Sequence, residues 1–177
     1  RNKIPTRELA LDSPEAKLIA ERCGAPAPKP SVLFGSETLV EDATPHRIAE
    51  LLGLDLAVGA KDEVVDVLIV GGGPSGVAAA VYAGAEGLSA LLVEELAVGG
   101  QAGTSSRIEN YMGFPTGISG GDLVWRGEIQ AMKFGTRFAM PRRVTALEQR
   151  ADGSFCATCD NGRIVCARAV VIATGVQ

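Results

Sequence analysis

The sequence changes rhythm at about residue 64. From there Val64-Val65-Asp66-Val67-Leu68-Ile69-Val70 is an almost unbroken apolar, mostly β-branched run, the pattern of a strand buried on both faces of a parallel sheet. Gly71-Gly72-Gly73-Pro74-Ser75-Gly76 follows without a gap, and Val77 to Ala83 then reads as a helix of small residues. A second short apolar run, Ala90-Leu91-Leu92-Val93, ends at Glu94. Ser119 to Phe134 is predicted to be a helix with Trp125 and Met132 towards the core. Three short strands, 144–148, 154–159 and 163–166, form a predicted meander, joined by Asp152-Gly153 and Asn161-Gly162, dipeptides favoured in hairpin turns. Ala169-Val170-Val171-Ile172 is the last predicted strand. Strands and helices alternating in this order give an α/β fold class.

The residues before this point form a smaller unit. Ser13-Pro14-Glu15 is a helix start: a capping hydroxyl, a proline at the first helical position, and an acid at the positive end of the helix dipole. That helix is expected to stop at Cys23-Gly24. The Pro-rich 25–30 stretch cannot be helical. Ser31 to Phe34 and Thr38 to Val40 read as a hairpin around Gly35-Ser36, and Thr44 caps a last helix from Pro45 to Leu52. The expected division is 1–57, a linker at 58–63, and 64–177.

Composition narrows the function classes. The chain has 177 residues, 46% hydrophobic and 21% charged, with a formal net charge of -4. An acidic chain offers no basic face for nucleic acid or an anionic membrane, so neither partner is expected. The longest unbroken apolar run is too short to span a bilayer. Four cysteines are too few for a disulfide scaffold and suggest a cytoplasmic protein. With 22 glycines, the backbone can approach a ligand closely at several places.

The most informative glycines are those after the first long strand. Gly71, Gly73 and Gly76 form G-x-G-x-x-G between a strand and a helix. In that setting Gly71 permits the tight turn, Gly73 lets a pyrophosphate reach the backbone, and Gly76 lets helix and strand pack closely. Pro74 and Ser75 open the helix, whose free N–H groups suit phosphates. Glu94 lies 18 residues after Gly76 (94 − 76), where an acid can meet the ribose hydroxyls. A carboxylate there disfavours a 2′-phosphate, which points to FAD or NAD rather than NADP. The 99–115 stretch is a long irregular loop rich in glycine and hydroxyls. On its residues alone it fits either a functional loop or a surface insertion.

Taken in order, Gly71-Gly72-Gly73-Pro74-Ser75-Gly76, Glu94, Gly99-Gly100-Gln101, Ile108-Glu109-Asn110-Tyr111, Gly113-Phe114-Pro115, Ile118-Ser119-Gly120 and Ala173-Thr174-Gly175 resemble the FAD domain of the thioredoxin-reductase family over about 110 residues. The resemblance implies a Rossmann-like FAD-binding domain, three-layered with a β-meander and incomplete. It implies FAD contacts at Gly100, Gln101 and Asn110, with Ser105 and Ser106 lining the flavin. It also implies adenine contact at Val144 and a cofactor-side turn at Ala173, Thr174 and Gly175. No catalytic side chain and no metal are expected in this chain. NADPH would be the hydride donor, bound by a domain outside it. The acceptor would be a thioredoxin-like protein or another redox partner, and the protein a homodimer. The 1–57 order resembles the C-terminal half of a thioredoxin-like domain, with Pro30 at that fold's cis-proline position. A generic α/β piece with a trans proline fits the same residues. The expected protein is thus a fragment of a flavoprotein oxidoreductase, with a non-catalytic dinucleotide sensor or docking module as the alternative.

Cys156-Ala157-Thr158-Cys159 looks like the family's redox motif but precedes Ala173-Thr174-Gly175, whereas the family's pair follows that turn. In a strand, residues three apart point to opposite faces, so this pair cannot bridge easily. A two-residue turn at Asn161-Gly162 would leave Cys159 diagonal to Cys166, beyond disulfide reach. All three thiols are therefore expected to be reduced and non-catalytic. A zinc site lacks a fourth ligand of suitable spacing. His46 is expected on a solvated surface.

Overall fold

A computed structural model describes residues 7–25, 30–34, 38–41, 43–44, 47–48, 51 and 64–175. The chain divides into two compact units, Arg1–Leu52 and Gly53–Gln177. In the first, α1 (Pro14–Arg22) starts where the sequence indicates: Ser13 accepts from the Ala16 N–H and Pro14 takes the first turn. It ends at Cys23, and Gly24 follows at φ 70°, where a non-glycine residue would be strained. Strands β1 (Ser31–Phe34) and β2 (Thr38–Glu41) pair antiparallel, Ser31 opposite Glu41 and Phe34 opposite Thr38. Thr44 Oγ1 accepts from the Arg47 N–H, the cap expected of a helix start. Most of the predicted 45–52 helix, His46, the Lys29–Pro30 peptide and the 58–63 linker lie outside the described residues.

The second unit contains β3 (Val64–Val70), α2 (Pro74–Ala85), β4 (Ala90–Val93), a 3₁₀ turn (Ala102–Thr104), α3 (Gly120–Lys133), β5 (Arg137–Ala139), β6 (Val144–Gln149), β7 (Phe155–Cys159) and β8 (Ile164–Ile172). One six-stranded sheet runs β5-β4-β3-β8-β7-β6. Strand β3 lies parallel to β4 and β8, with Val70 level with Val93 and Ile172. Strands β6, β7 and β8 are antiparallel. The third meander strand and the last parallel strand, separate in the sequence reading, are one strand. Residues 164–167 of β8 pair with β7, and the strand from Cys166 onward pairs with β3.

The core has two parts. Ile69, Leu92 and Phe138 pack with Val77, Ala80, Val124 and Ala131 of the helices. Val65, Leu68, Leu91 and Val93 pack with Ala157, Cys159, Val165 and Ala167 of the meander. At the start of β3, Asp66 accepts from both the Ser89 hydroxyl and the Ser89 N–H, bonds that hold its carboxyl below the usual carboxylate range.

Helix α3 runs almost as the spacing predicts, with Ser119 capping it through the Asp122 N–H. Its orientation differs. Trp125 and Met132 are 47% and 50% exposed, not turned to the core. The inward face is Gly120, Leu123, Val124, Gly127 and Ala131, and of these Val124, Gly127 and Ala131 pack with α2. A Cβ on Gly127 would come within 2.5 Å of Val77 Cγ1. The close approach of α2 leaves no room for bulk at Gly127, and Trp125 and Met132 face outward.

The cysteines also require correction. The Cys159 N–H donates to the Arg163 carbonyl, the Gly162 N–H to the Cys159 carbonyl, and Gly162 has φ 76°. This is a three-residue loop with a left-handed glycine, not a two-residue turn. The extra residue shifts the register by one. Cys156 therefore faces Cys166, with Cα atoms 4.1 Å apart, and the two form a disulfide. A separation this short belongs to a pair between the ladder hydrogen bonds, where side chains are nearest. Cys159 stays free and buried, and burial pushes its thiol pKa up.

Candidate dinucleotide-binding site

The carboxyl ends of β3, β4 and β8 meet at one edge of the sheet, where open α/β sheets bind ligands. Gly71 leaves β3 at φ 106°, and a Cβ there would run into the Ala173 carbonyl. A Cβ on Gly76 would overlap the Gly71 carbonyl oxygen and approach Ala173 Cβ. These two glycines are required by the protein's own packing. Gly73 differs: it caps α2 at φ -69°, a conformation open to any residue, and a Cβ there would meet nothing within 4 Å. Nothing in the protein needs glycine at that position. The open space in front of it, at the N-terminus of a 12-residue helix with unpaired first-turn N–H groups, has the form a pyrophosphate requires. Pro74 is the first helical residue and Ser75 beside it is exposed.

Glu94 follows β4 and is half-buried. Its Oε2 accepts from the Gly72 N–H at 2.6 Å and its Oε1 from the Leu96 N–H at 3.0 Å. A carboxylate has about four lone-pair sites, so acceptor capacity remains for hydroxyl donors. The Arg142 N–H donates to the Glu94 carbonyl at 2.8 Å. Two residues on, Val144 begins β6 opposite Cys159, half-buried against the core. Glu94 and Val144 thus share one side of the glycine loop.

On the other side lies the segment 99–105. The Gly99 N–H donates to the Gly72 carbonyl at 2.7 Å, and a Cβ on Gly100 would lie 3.2 Å from Gly73 Cα. Gln101 precedes the 3₁₀ turn, which Gly120 of α3 supports: a Cβ there would overlap the Ala102 carbonyl, and its N–H donates to the Ser105 carbonyl. Ser106 and Asn110 are exposed further along. Paired hydrogen bonds between Ile108 and Ile118 close the neck of the loop carrying Asn110, and Tyr111 and Phe114 rings lie 6.3 Å apart at its tip. Ala173 bonds back to Val70, and Thr174 and Gly175 follow at the surface.

The structure therefore gathers Gly71, Gly73, Pro74, Gly76, Glu94, Gly100 and Ala173 directly. Ser106 and Asn110 are linked to them through the 99–105 segment, and Val144 through Arg142. Sequence reasoning placed Gly72 and Gly120 within the matching motifs but gave neither a role. Gly72 occupies a variable position of the motif, yet its N–H anchors Glu94. Gly120 reads as a helix start, with no local sign that it carries the loop opposite.

Residues 65–177 match the sequence profile of the family described as pyridine nucleotide-disulphide oxidoreductase. The chain belongs to this family. Among its oxidoreductase relatives, the thioredoxin reductase of Treponema pallidum is 39% identical over 112 residues, covering 63% of this chain and 36% of that protein. The thioredoxin reductase of Aquifex aeolicus is 34% identical over 114 residues, 64% of this chain and 35% of that protein. The crystal structure of thioredoxin reductase from Streptococcus pyogenes aligns with a TM-score of 0.58 at 33% identity, over 66% of this chain and 37% of that one. The chain spans a little over one third of these relatives' length, and the match lies in the glycine-loop unit.

Proposed function

We propose that this chain is the FAD-binding part of a flavoenzyme that takes electrons from NADPH and passes them to a disulfide or another acceptor. Bound FAD would supply the two-electron carrier between donor and acceptor. The observation that carries the reading is Gly73: a half-buried glycine that the fold itself does not need, with open space at its Cβ position, at a helix N-terminus between Glu94 and Gly100. In this reading Gly73, Ser75 and Gly76 present backbone N–H groups to the pyrophosphate, Pro74 fixes the first turn of the helix, and Gly71, whose N–H is held by the Val93 carbonyl, makes the turn that brings them there. Glu94 accepts from the ribose hydroxyls, and Val144 lies against the adenine. Gly100, Gln101, Ser106 and Asn110 border the flavin, and Ala173, Thr174 and Gly175 close the site from β8. A site for NADPH, a thioredoxin-like acceptor, a homodimer and a cytoplasmic location belong to the same proposal, as does a thioredoxin-like origin for the 1–57 segment. Among the described residues no helix is long and apolar enough to cross a membrane.

The test is an absorbance spectrum of the complete protein before and after NADPH addition. Flavin bands that bleach with NADPH are expected. A preparation with no flavin bands after reconstitution with FAD, or bands indifferent to NADPH, overturns the proposal. On its own, this chain is expected to bind FAD weakly and oxidise no NADPH, because a partial pocket lacks the preorganisation that makes binding favourable.

A further inference from the structure

At the end of β3 far from the glycine loop, three features meet on one outer face of the meander. Cys156 and Cys166 are joined across β7 and β8. Cys166 is partly exposed, whereas Cys156 is only 9% exposed. Val64 lies level with Cys166 on β3, and Arg168 follows on the same face of β8 by the two-residue strand period. Val64 and Arg168, with Arg150, Asp152, Gly153 and Ser154 of the β6–β7 turn, line a cleft of about 370 Å3. Two residues of the cleft, Val64 and Arg168, thus neighbour the partly exposed Cys166 on its own face. Arg168 lies 3.3 Å from Asp66, and Asp152 is taken up by Ser154. Glu148 stands opposite Cys156 on β6.

We propose that the Cys156–Cys166 disulfide is a thiol–disulfide exchange site for an external dithiol, entered through the Arg150–Arg168 cleft and separate from the dinucleotide site. The separation follows from register. Cys166 is level with Val64, six residues below Val70, or about 20 Å at ~3.3 Å per residue. A cofactor at the glycine loop cannot touch it, so its electrons come from a dithiol in solution or on a partner.

Access and charge select the same sulfur. Cys166 is the more exposed of the two, and Cys156 is buried with Glu148 opposite, which repels a thiolate. Arg150 and Arg168 attract one on the Cys166 side, an attraction reduced by Asp152 beside Arg150 and Asp66 beside Arg168. The thiolate attacks Cys166 Sγ, and the S–S bond breaks with its electron pair on Cys156, which takes a proton from water. The second thiol of the reductant then attacks its own sulfur in the mixed disulfide and releases Cys166. Two electrons and two protons enter the protein, and the dithiol leaves as a disulfide. Cys159 takes no part. It is 2% exposed and shares the opposite face with the core.

The full chain, oxidised in air, is treated with dithiothreitol without denaturant, quenched with iodoacetamide at intervals, and read by peptide mass. Cys156 and Cys166 are expected to become alkylated together, at a rate proportional to dithiothreitol, while Cys159 stays unmodified. R150Q/R168Q is expected to slow this about threefold or more, and high salt to slow the unsubstituted chain similarly. Glutathione is expected to be trapped on Cys166. Free thiols at both positions before reductant, a bond that opens only in denaturant, an adduct on Cys156, or rates indifferent to salt each overturn the proposal. The salt dependence decides the role of charge if the double variant misfolds.

Discussion

The Gly72 N–H donates to Glu94 Oε2 across 2.6 Å, so the acid that faces a ribose in the proposed site also fastens the glycine loop to the end of β4. Glu94→Ala removes a partner from two backbone N–H groups. It is expected to destabilise the fold by about 1–3 kcal/mol and to weaken flavin retention as well. Chemical denaturation without added FAD measures the first effect, and flavin per chain in the complete protein measures the second. Loss of retention with unchanged stability would show that the two hydrogen bonds contribute nothing to the fold.

Gly71, Gly73 and Gly76 should separate cleanly. Gly73→Val places its side chain in open space and should leave the thermal midpoint nearly unchanged, while flavin occupancy falls by roughly tenfold or more, as for about 1.5–3 kcal/mol of lost binding. Gly76→Val, jammed against the Gly71 carbonyl, should fail to fold or melt far lower. Equal losses of stability at both positions would mean that Gly73 is structural.

Along α3 the ordering of sensitivities should invert what residue size suggests. Gly127→Leu drives bulk into Val77 and should cost about 1–3 kcal/mol or more. Trp125→Ala, on the exposed side, should cost less than that. Urea midpoints with matched slopes test the order.

Burial raises the carboxyl pKa of Glu128 on α3. A carboxyl whose folded pKa lies above its unfolded value binds more protons when folded. Stability therefore rises as pH falls through the folded pKa. At neutral pH, where the group is ionised at a cost, Glu128→Gln should raise the thermal midpoint by about 1–2 °C. That gain should shrink towards zero as the unsubstituted protein protonates. Melting curves from pH 7 down to pH 4 check the sign; a gain that persists at low pH would remove desolvation as its cause.

Much of this was legible in the sequence where one local rule decided the outcome. Val64 to Val70, the glycine loop, Ser13 and Ser119 as caps, and Gly24 as a stop all fell where composition and spacing put them. What was not legible depended on partners distant in the chain. Trp125 and Met132 looked like core because they are large, but the face of α3 is set by how closely α2 approaches. The Cys156–Cys166 pair depended on a single residue in the 160–162 turn, and Asn161-Gly162 suits either loop length. Gly72 and Gly120 matter through atoms they approach after folding, and neither position has a local mark.

The dual pairing of β8 makes it a ruler laid across the molecule. Its parallel ladder with β3 fixes how far the strand reaches, and so fixes where Ala173 stands beside Gly71. The hairpin with β7 is graduated separately, by the length of the 160–162 turn. Removing one residue from that turn would slide β7 against the scale and part Cys156 from Cys166, while Ala173 kept its mark. A deletion between Arg168 and Ile172 would do the reverse, moving the Ala173 end and sparing the bridge. Sequence drift at one end of the strand is thereby insulated from the other.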